Sequence, residues 1–186
     1  MNSAVIFAGG KSSRMGRDKA LLPVGGYASM AEYQYRKLKK CFDTVYISSK
    51  EDKFNFEVPI LYDLFKESSP MVALGSIFEQ LEDEVLFVLS VDMPNIDHAE
   101  IETLIQAYQN TEPKPDIIIA KSSRGMEPLC GIYRKTILPH VKKLLEEDIH
   151  KMSILLDKVY TKMILFQDDK KFLNVNTPEE YQAINP

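Results

Sequence analysis

A chain of 186 residues with 45% hydrophobic and 27% charged content has the size and make-up of one globular domain with a substantial core, so residues 1–186 are expected to form a single domain. The net charge of −4 argues against a general nucleic-acid binder or a membrane-surface protein, both of which carry a basic excess, and any anion site must be local. No stretch approaches the ~18 apolar residues of a membrane span and no leader pattern opens the chain, which makes the cytoplasm the expected location.

The first element, residues 3–7, reads as a short buried strand, and residues 8–19 (A-G-G-K-S-S-R-M-G-R-D-K) read as the loop after it. Gly9 and Gly10 lack a Cβ, so the backbone can take positive φ there, approach a ligand closely and point successive amides at an anion. Arg14 and Lys19 supply charge. The loop is not a Walker A loop, because the glycine that motif needs five residues before Gly10-Lys11 is Val5. It is not a dinucleotide fingerprint either, since Lys11 and Arg14 stand where two glycines are required. A tight turn carrying solvated basic residues is the plain alternative.

An apolar segment ending in Gly25-Gly26 marks a turn, and a helix is expected over residues 28–41, with Arg36, Lys37, Lys39 and Lys40 solvated at its positive-tolerant C-terminal end. Residues 44–48 form the second strand, completing a βαβ unit, and residues 58–61 a short edge strand whose Pro59 needs no ladder partner. Asp63 follows it. Residues 64–70 read as a loop and residues 71–81 as a helix with Leu74, Ile77, Phe78 and Leu81 at helical spacing. Residues 85–91 are the most apolar run, without alternation, as in a central parallel strand covered on both faces. Asp92 ends it, and an open α/β sheet binds ligands outside the carboxyl ends of its strands.

Asp97 can cap a helix reaching Tyr108. Strands are expected over residues 116–120, 128–133 and 163–166, and helices over residues 136–147 and 151–159. The motif N-V-N-T-P-E-E at residues 174–180 combines an Asn-x-Asn strand end with a helix start, in which Thr177 is the N-cap, Pro178 the first helical residue and Glu180 the capping-box partner. His98, His140 and His150 read as surface or half-buried residues, and Cys41 and Cys130 as small buried apolar ones. The fold class expected is α/β: a three-layer, Rossmann-like arrangement with a mostly parallel sheet and helices on both faces.

A glycine-rich loop with two basic residues, an Asp at a neighbouring strand end and an Asn-x-Asn at a third can assemble a site for a nucleoside triphosphate and Mg²⁺, which needs only one or two carboxylates beside phosphate oxygens and water. Residues 7–19, with A-G-G, R-M-G and D-K, resemble the opening motif of the nucleotidyltransferases in the version seen in molybdenum cofactor guanylyltransferases, the molybdopterin-guanine dinucleotide biosynthesis protein A family. Val91-Asp92-Met93-Pro94 is similar to that family's metal-binding strand end, and residues 174–180 to its C-terminal motif.

The resemblance implies a nucleotidyltransferase fold and transfer of GMP from GTP to the terminal phosphate of molybdopterin, with pyrophosphate released. It implies that Phe7, Ala8, Gly9 and Gly10 contact the nucleotide, with Lys19 on phosphate and Ser48 and Asp63 lining its site. Asp92 would bind Mg²⁺, Arg14 and Lys19 would neutralise departing pyrophosphate, and Asn174 and Asn176, facing one side of a strand, would lie near the acceptor or complete the metal's surroundings. The partners implied are GTP, molybdopterin and, transiently, cofactor-delivery proteins, with neither nucleic acid nor membrane; a monomer is expected. The chain departs from the family pattern at Ser48, where Asn is common, and at Ser69-Pro70-Met71-Val72-Ala73, where the family has G-P-L-A-G. A cytidylyl- or sugar-phosphate nucleotidyltransferase, and a non-catalytic nucleotide-binding adaptor of the same fold, are the competing readings.

Overall fold

The structure is a computed structural model that describes residues 1–9, 18–65 and 67–184. Seven strands form one sheet: β1 (Ser3–Phe7), β2 (Thr44–Ser49), β3 (Ile60–Tyr62), β4 (Val85–Ser90), β5 (Ile117–Ser122), β6 (Gly125–Arg134) and β7 (Thr161–Leu165). Their order is β3-β2-β1-β4-β6-β5-β7, and all run parallel except β6, which is antiparallel to both neighbours. The mostly parallel sheet expected from the sequence is therefore present.

Alternation along the buried strands sorts their side chains to two cores. Ala4 and Ile6 of β1 and Phe87 and Leu89 of β4 join the core covered by α1 (Met30–Leu38) and α3 (His98–Gln109). Val5, Phe7, Leu86 and Val88 face the opposite core beneath α2 (Pro70–Gln80), α4 (Leu138–Glu146) and α5 (Met152–Lys158). Continuous apolar strands are what two covered faces demand.

Local chemistry sets the element ends. Ser29 caps α1, its hydroxyl accepting from the Glu32 amide at 3.1 Å, so the helix begins two residues later than the apolar pattern suggests. Gly25 and Gly26, both at positive φ, turn the chain between Val24 and Tyr27. β3 starts only after Pro59, whose carbonyl accepts from the Ile47 amide. β6 begins at Gly125, earlier than expected, and carries Pro128 inside a register irregularity, where the ladder between β5 and β6 is interrupted. Gly131 is obligatory there, since a Cβ would lie 2.2 Å from the Ile118 carbonyl oxygen.

Three expectations fail. Cys41 is only half-buried, its Sγ 3.3 Å from His98 Nδ1. The Lys37 side chain is not solvated: its Nζ donates to the Pro94 carbonyl at 2.8 Å and lies over the Tyr33 ring, and burial lowers its pKa to about 8. Asn174 and Asn176 do not sit on a strand. The segment is irregular, hooked to the end of β4 by the Val175 amide donating to the Asp92 carbonyl at 2.8 Å, with Val175 buried between two half-buried asparagines. Beyond it, α6 (Pro178–Ile184) starts with the expected capping box, the Glu180 amide donating to Thr177 Oγ1 and the Glu180 carboxylate accepting from the Thr177 amide.

Candidate active site

The chain leaves β1 toward β2 and β3 on one side and returns to β4 on the other, so a crevice opens at the carboxyl ends of β1 and β4. Two backbone bonds shape its floor: the Ala8 amide donates to the Ser48 carbonyl and the Val91 amide to the Phe7 carbonyl, each at 3.0 Å. A cleft of about 450 Å³ lies over this edge, lined by Gly9, Lys19, Ser48, Asp63, Ser69 and Asp92 among others. Gly10 and Arg14 lie outside the described residues.

The charged end of the cleft is assembled from three distant segments. Lys19 opens a short 3-10 turn (Lys19–Leu21) capped by Asp18. Its ammonium donates to Asp92 Oδ2 at 2.6 Å and to Asn176 Oδ1 at 2.9 Å, with Lys19 and Asp92 each less than a fifth exposed. The Ser90 hydroxyl donates to the other carboxylate oxygen, Asp92 Oδ1, at 2.7 Å. Ser90 lies two residues before Asp92, a spacing that could have singled it out in the sequence.

Two further residues hold this end in place. Gln34, fully buried on α1, donates from Nε2 to the Met93 carbonyl at 2.9 Å and to the Val91 carbonyl at 3.4 Å, fixing the turn after β4. A lone amide on an apolar helix face is its only sequence signal. Lys53 donates to the Ala8 carbonyl at 3.2 Å and to the Asp18 carboxylate, tying together the two segments that flank residues 10–17.

The opposite end is less charged. Asp63 follows β3 with its carboxyl pKa raised by burial and partly lowered again by Lys50. Gly9 faces it: a Cβ built there would stand 4.0 Å from Asp63 Oδ2, an ordinary contact, and Gly9 is not among the positive-φ residues. Its smallness therefore widens the cleft and does not serve an unusual backbone. Ser69 caps α2, and Ser68 donates to the Gly9 carbonyl at 3.4 Å. Beyond Asp92 on the other flank, Glu127 of β6 accepts from the Ser122 hydroxyl at 2.9 Å, its pKa raised chiefly by burial and also by the Asp92 charge. Nothing in the sequence marked it.

Among the described residues no group of three or more His, Cys, Asp or Glu side chains could cage a metal. The donor set instead suits a hard cation shared with a phosphate: Asp92 Oδ2 and Asn176 Oδ1 already converge on one cation, the Lys19 ammonium. Asn174 is not part of this convergence. Among the described residues no helix is long and apolar enough to cross a membrane.

Comparison with known proteins identifies the family and the fold. The model of the MobA-like NTP transferase domain matches residues 4–161. The molybdenum cofactor guanylyltransferase of Campylobacter jejuni subsp. jejuni serotype O:6 is 39% identical over 182 residues, covering 97% of this chain and 93% of that protein. The protein of the same name from Helicobacter pylori strain P12 is 31% identical, covering 96% and 89%. The crystal structure of molybdopterin-guanine dinucleotide biosynthesis protein A from Archaeoglobus fulgidus superposes with a TM-score of 0.79 over 98% of this chain and 96% of that one; at 18% identity it shows the shared fold.

Proposed function

The chain belongs to the MobA-like NTP transferase family and is a nucleotidyltransferase, and from that premise we propose that it transfers GMP from GTP to the terminal phosphate of molybdopterin, releasing pyrophosphate. The observation that carries the reading is the convergence of Lys19, Asp92 and Asn176, residues 73 and 157 positions apart, on one point of the cleft at the switch between β1 and β4.

In the reaction an oxygen of the acceptor phosphate attacks the α-phosphorus of GTP in line; the new O–P bond forms as the bond to the bridging oxygen of pyrophosphate breaks. The work left to the protein is positioning and charge. Backbone groups of Phe7, Ala8 and Gly9 border the nucleotide, and Gly10 is assigned with them. Lys19, with Arg14, neutralises charge gathering on pyrophosphate. Asp92, with the Asn176 side-chain carbonyl beside it, would hold Mg²⁺, which when bound supplies charge neutralisation at the reacting phosphate. Ser90 orients the Asp92 carboxylate for that role, and Gln34 fixes the backbone that follows it. Asn174 flanks the acceptor side. Ser48 and Asp63 occupy the end left for the base. A reaction that consumes GTP fits a cytoplasmic location.

Asp92→Ala tests the assignment. Pyrophosphate release from GTP in the presence of molybdopterin and Mg²⁺ should fall by ~10²-fold or more, the usual cost of one preorganised electrostatic group, while the circular dichroism spectrum remains that of the folded protein. Near-normal release would remove Asp92 from the reaction.

A further inference from the structure

A hydrogen-bonded relay crosses the base end of the cleft, built from residues that the transfer chemistry does not use. Ser69, at the N-terminus of α2, lines the cleft, and its Oγ accepts from the Val72 amide at 3.2 Å. The same Oγ lies 3.0 Å from His150 Nδ1, and His150 Nε2 lies 3.1 Å from Asp148 Oδ1. The chain reaches this position through a left-handed turn after α4: Asp148 stands at φ 56, its amide donates to the Leu145 carbonyl and the Ile149 amide to the Leu144 carbonyl, a glycine-type helix ending that brings His150 back over α2.

The directions of these bonds follow from what each atom can do. When the ring is neutral and the Asp148 carboxylate ionised, the carboxylate only accepts, so Nε2 carries the imidazole proton and Nδ1 is an acceptor. The Ser69 hydroxyl must then donate to Nδ1. With its proton committed and one lone pair taken by the Val72 amide, Ser69 Oγ has a lone pair left and no donor to offer the cleft. The neighbouring Asp63 carboxylate, when ionised, also only accepts. This end of the cleft is thereby matched to a base edge that carries adjacent N–H donors, as the N1–H and 2-amino group of guanine do.

We propose that His150 is a positioning residue for base selection: by accepting the hydrogen bond that the Ser69 hydroxyl donates, it leaves Ser69 Oγ as an acceptor for the base's 2-amino edge. The inference rests on the GTP reading above. Among the described residues, the charged groups facing His150 are Asp148 at Nε2 and, along the groove it lines between α2 and α4, Glu67, Glu146 and Lys142.

The test compares Mg²⁺-GTP with Mg²⁺-ITP, whose base lacks the 2-amino group, in the full-length wild type, Ser69→Ala, His150→Ala and His150→Asn. The ratio of kcat/KM for GTP over ITP should fall about 3- to 10-fold in Ser69→Ala and His150→Ala, the usual worth of one neutral hydrogen bond, and the change should lie in KM with kcat kept. His150→Asn, whose amide carbonyl can replace Nδ1 as acceptor, should keep the ratio. Rescue by His150→Asn together with a change confined to KM is a response that a merely structural histidine would not produce. A wild type that prefers GTP, with the ratio unmoved in both alanine variants or lowered as much in His150→Asn as in His150→Ala, overturns the role of His150 alone. A wild type that does not use GTP overturns the guanylyl reading and this inference with it.

Discussion

The two ends of the cleft are built on different principles. At one end, Lys19, Asp92 and Asn176 bring opposite charge and a carbonyl dipole together with a hydroxyl behind them, and the contacts are short and more than four-fifths buried for the ion pair. At the other, Asp63, Ser68 and Ser69 line the cleft with one half-buried carboxylate and neutral hydroxyls, steered by a histidine from a separate loop. Charge neutralisation in a partly dehydrated site is worth orders of magnitude in rate, whereas a neutral hydrogen bond contributes only a small factor. The charged end should govern kcat and the neutral end should govern which base is accepted.

That contrast can be broken with two substitutions. Lys19→Ala should carry the larger effect: turnover should fall by ~10²-fold, and because Asp92 and Asn176 lose the ammonium between them, Mg²⁺ alone should raise the thermal midpoint of this variant more than that of wild type. Equal Mg²⁺ shifts in the two proteins, read by differential scanning calorimetry, would mean that the ammonium does not occupy a cation position.

Asp63→Asn should act more gently on the reaction, raising KM for GTP by about 10-fold through loss of a charged hydrogen-bond acceptor while kcat holds. It also carries a stability signature. Burial raises the Asp63 pKa above its unfolded value, so the folded state binds the proton more readily; the resulting stabilisation is fully present below the ordinary carboxylate pKa and is lost as pH rises through the raised value. The neutral Asn escapes that loss. Denaturant melts should therefore show Asp63→Asn gaining on wild type as pH rises from the acid limb to neutrality, and a constant difference across that range would contradict the burial argument.

The same division separates what the sequence discloses from what it hides. The mostly parallel sheet was legible, because each buried strand is an apolar run and the crossovers follow helical spacing. The segments that bring Lys19 and Asp92 to one edge were legible too, since a glycine-rich loop and a strand-ending Asp are local patterns. Their partners were not. Gln34 and Lys37 look like ordinary helix residues until folding seals both against the turn after β4, where carbonyls of Val91, Met93 and Pro94 need donors. Asn174 and Asn176 read as a strand from their alternation, but with one backbone bond to β4 the segment has no ladder to join. His150 meets Ser69 across 81 residues, an encounter that only the helix ending at Asp148 arranges.

The most direct measurement is calorimetric titration of the wild-type protein with GTP, CTP, ATP and UTP in the presence of Mg²⁺. Saturable binding of GTP in preference to the other three is expected, reduced in Asp63→Asn. Tight binding of CTP alone would contradict it.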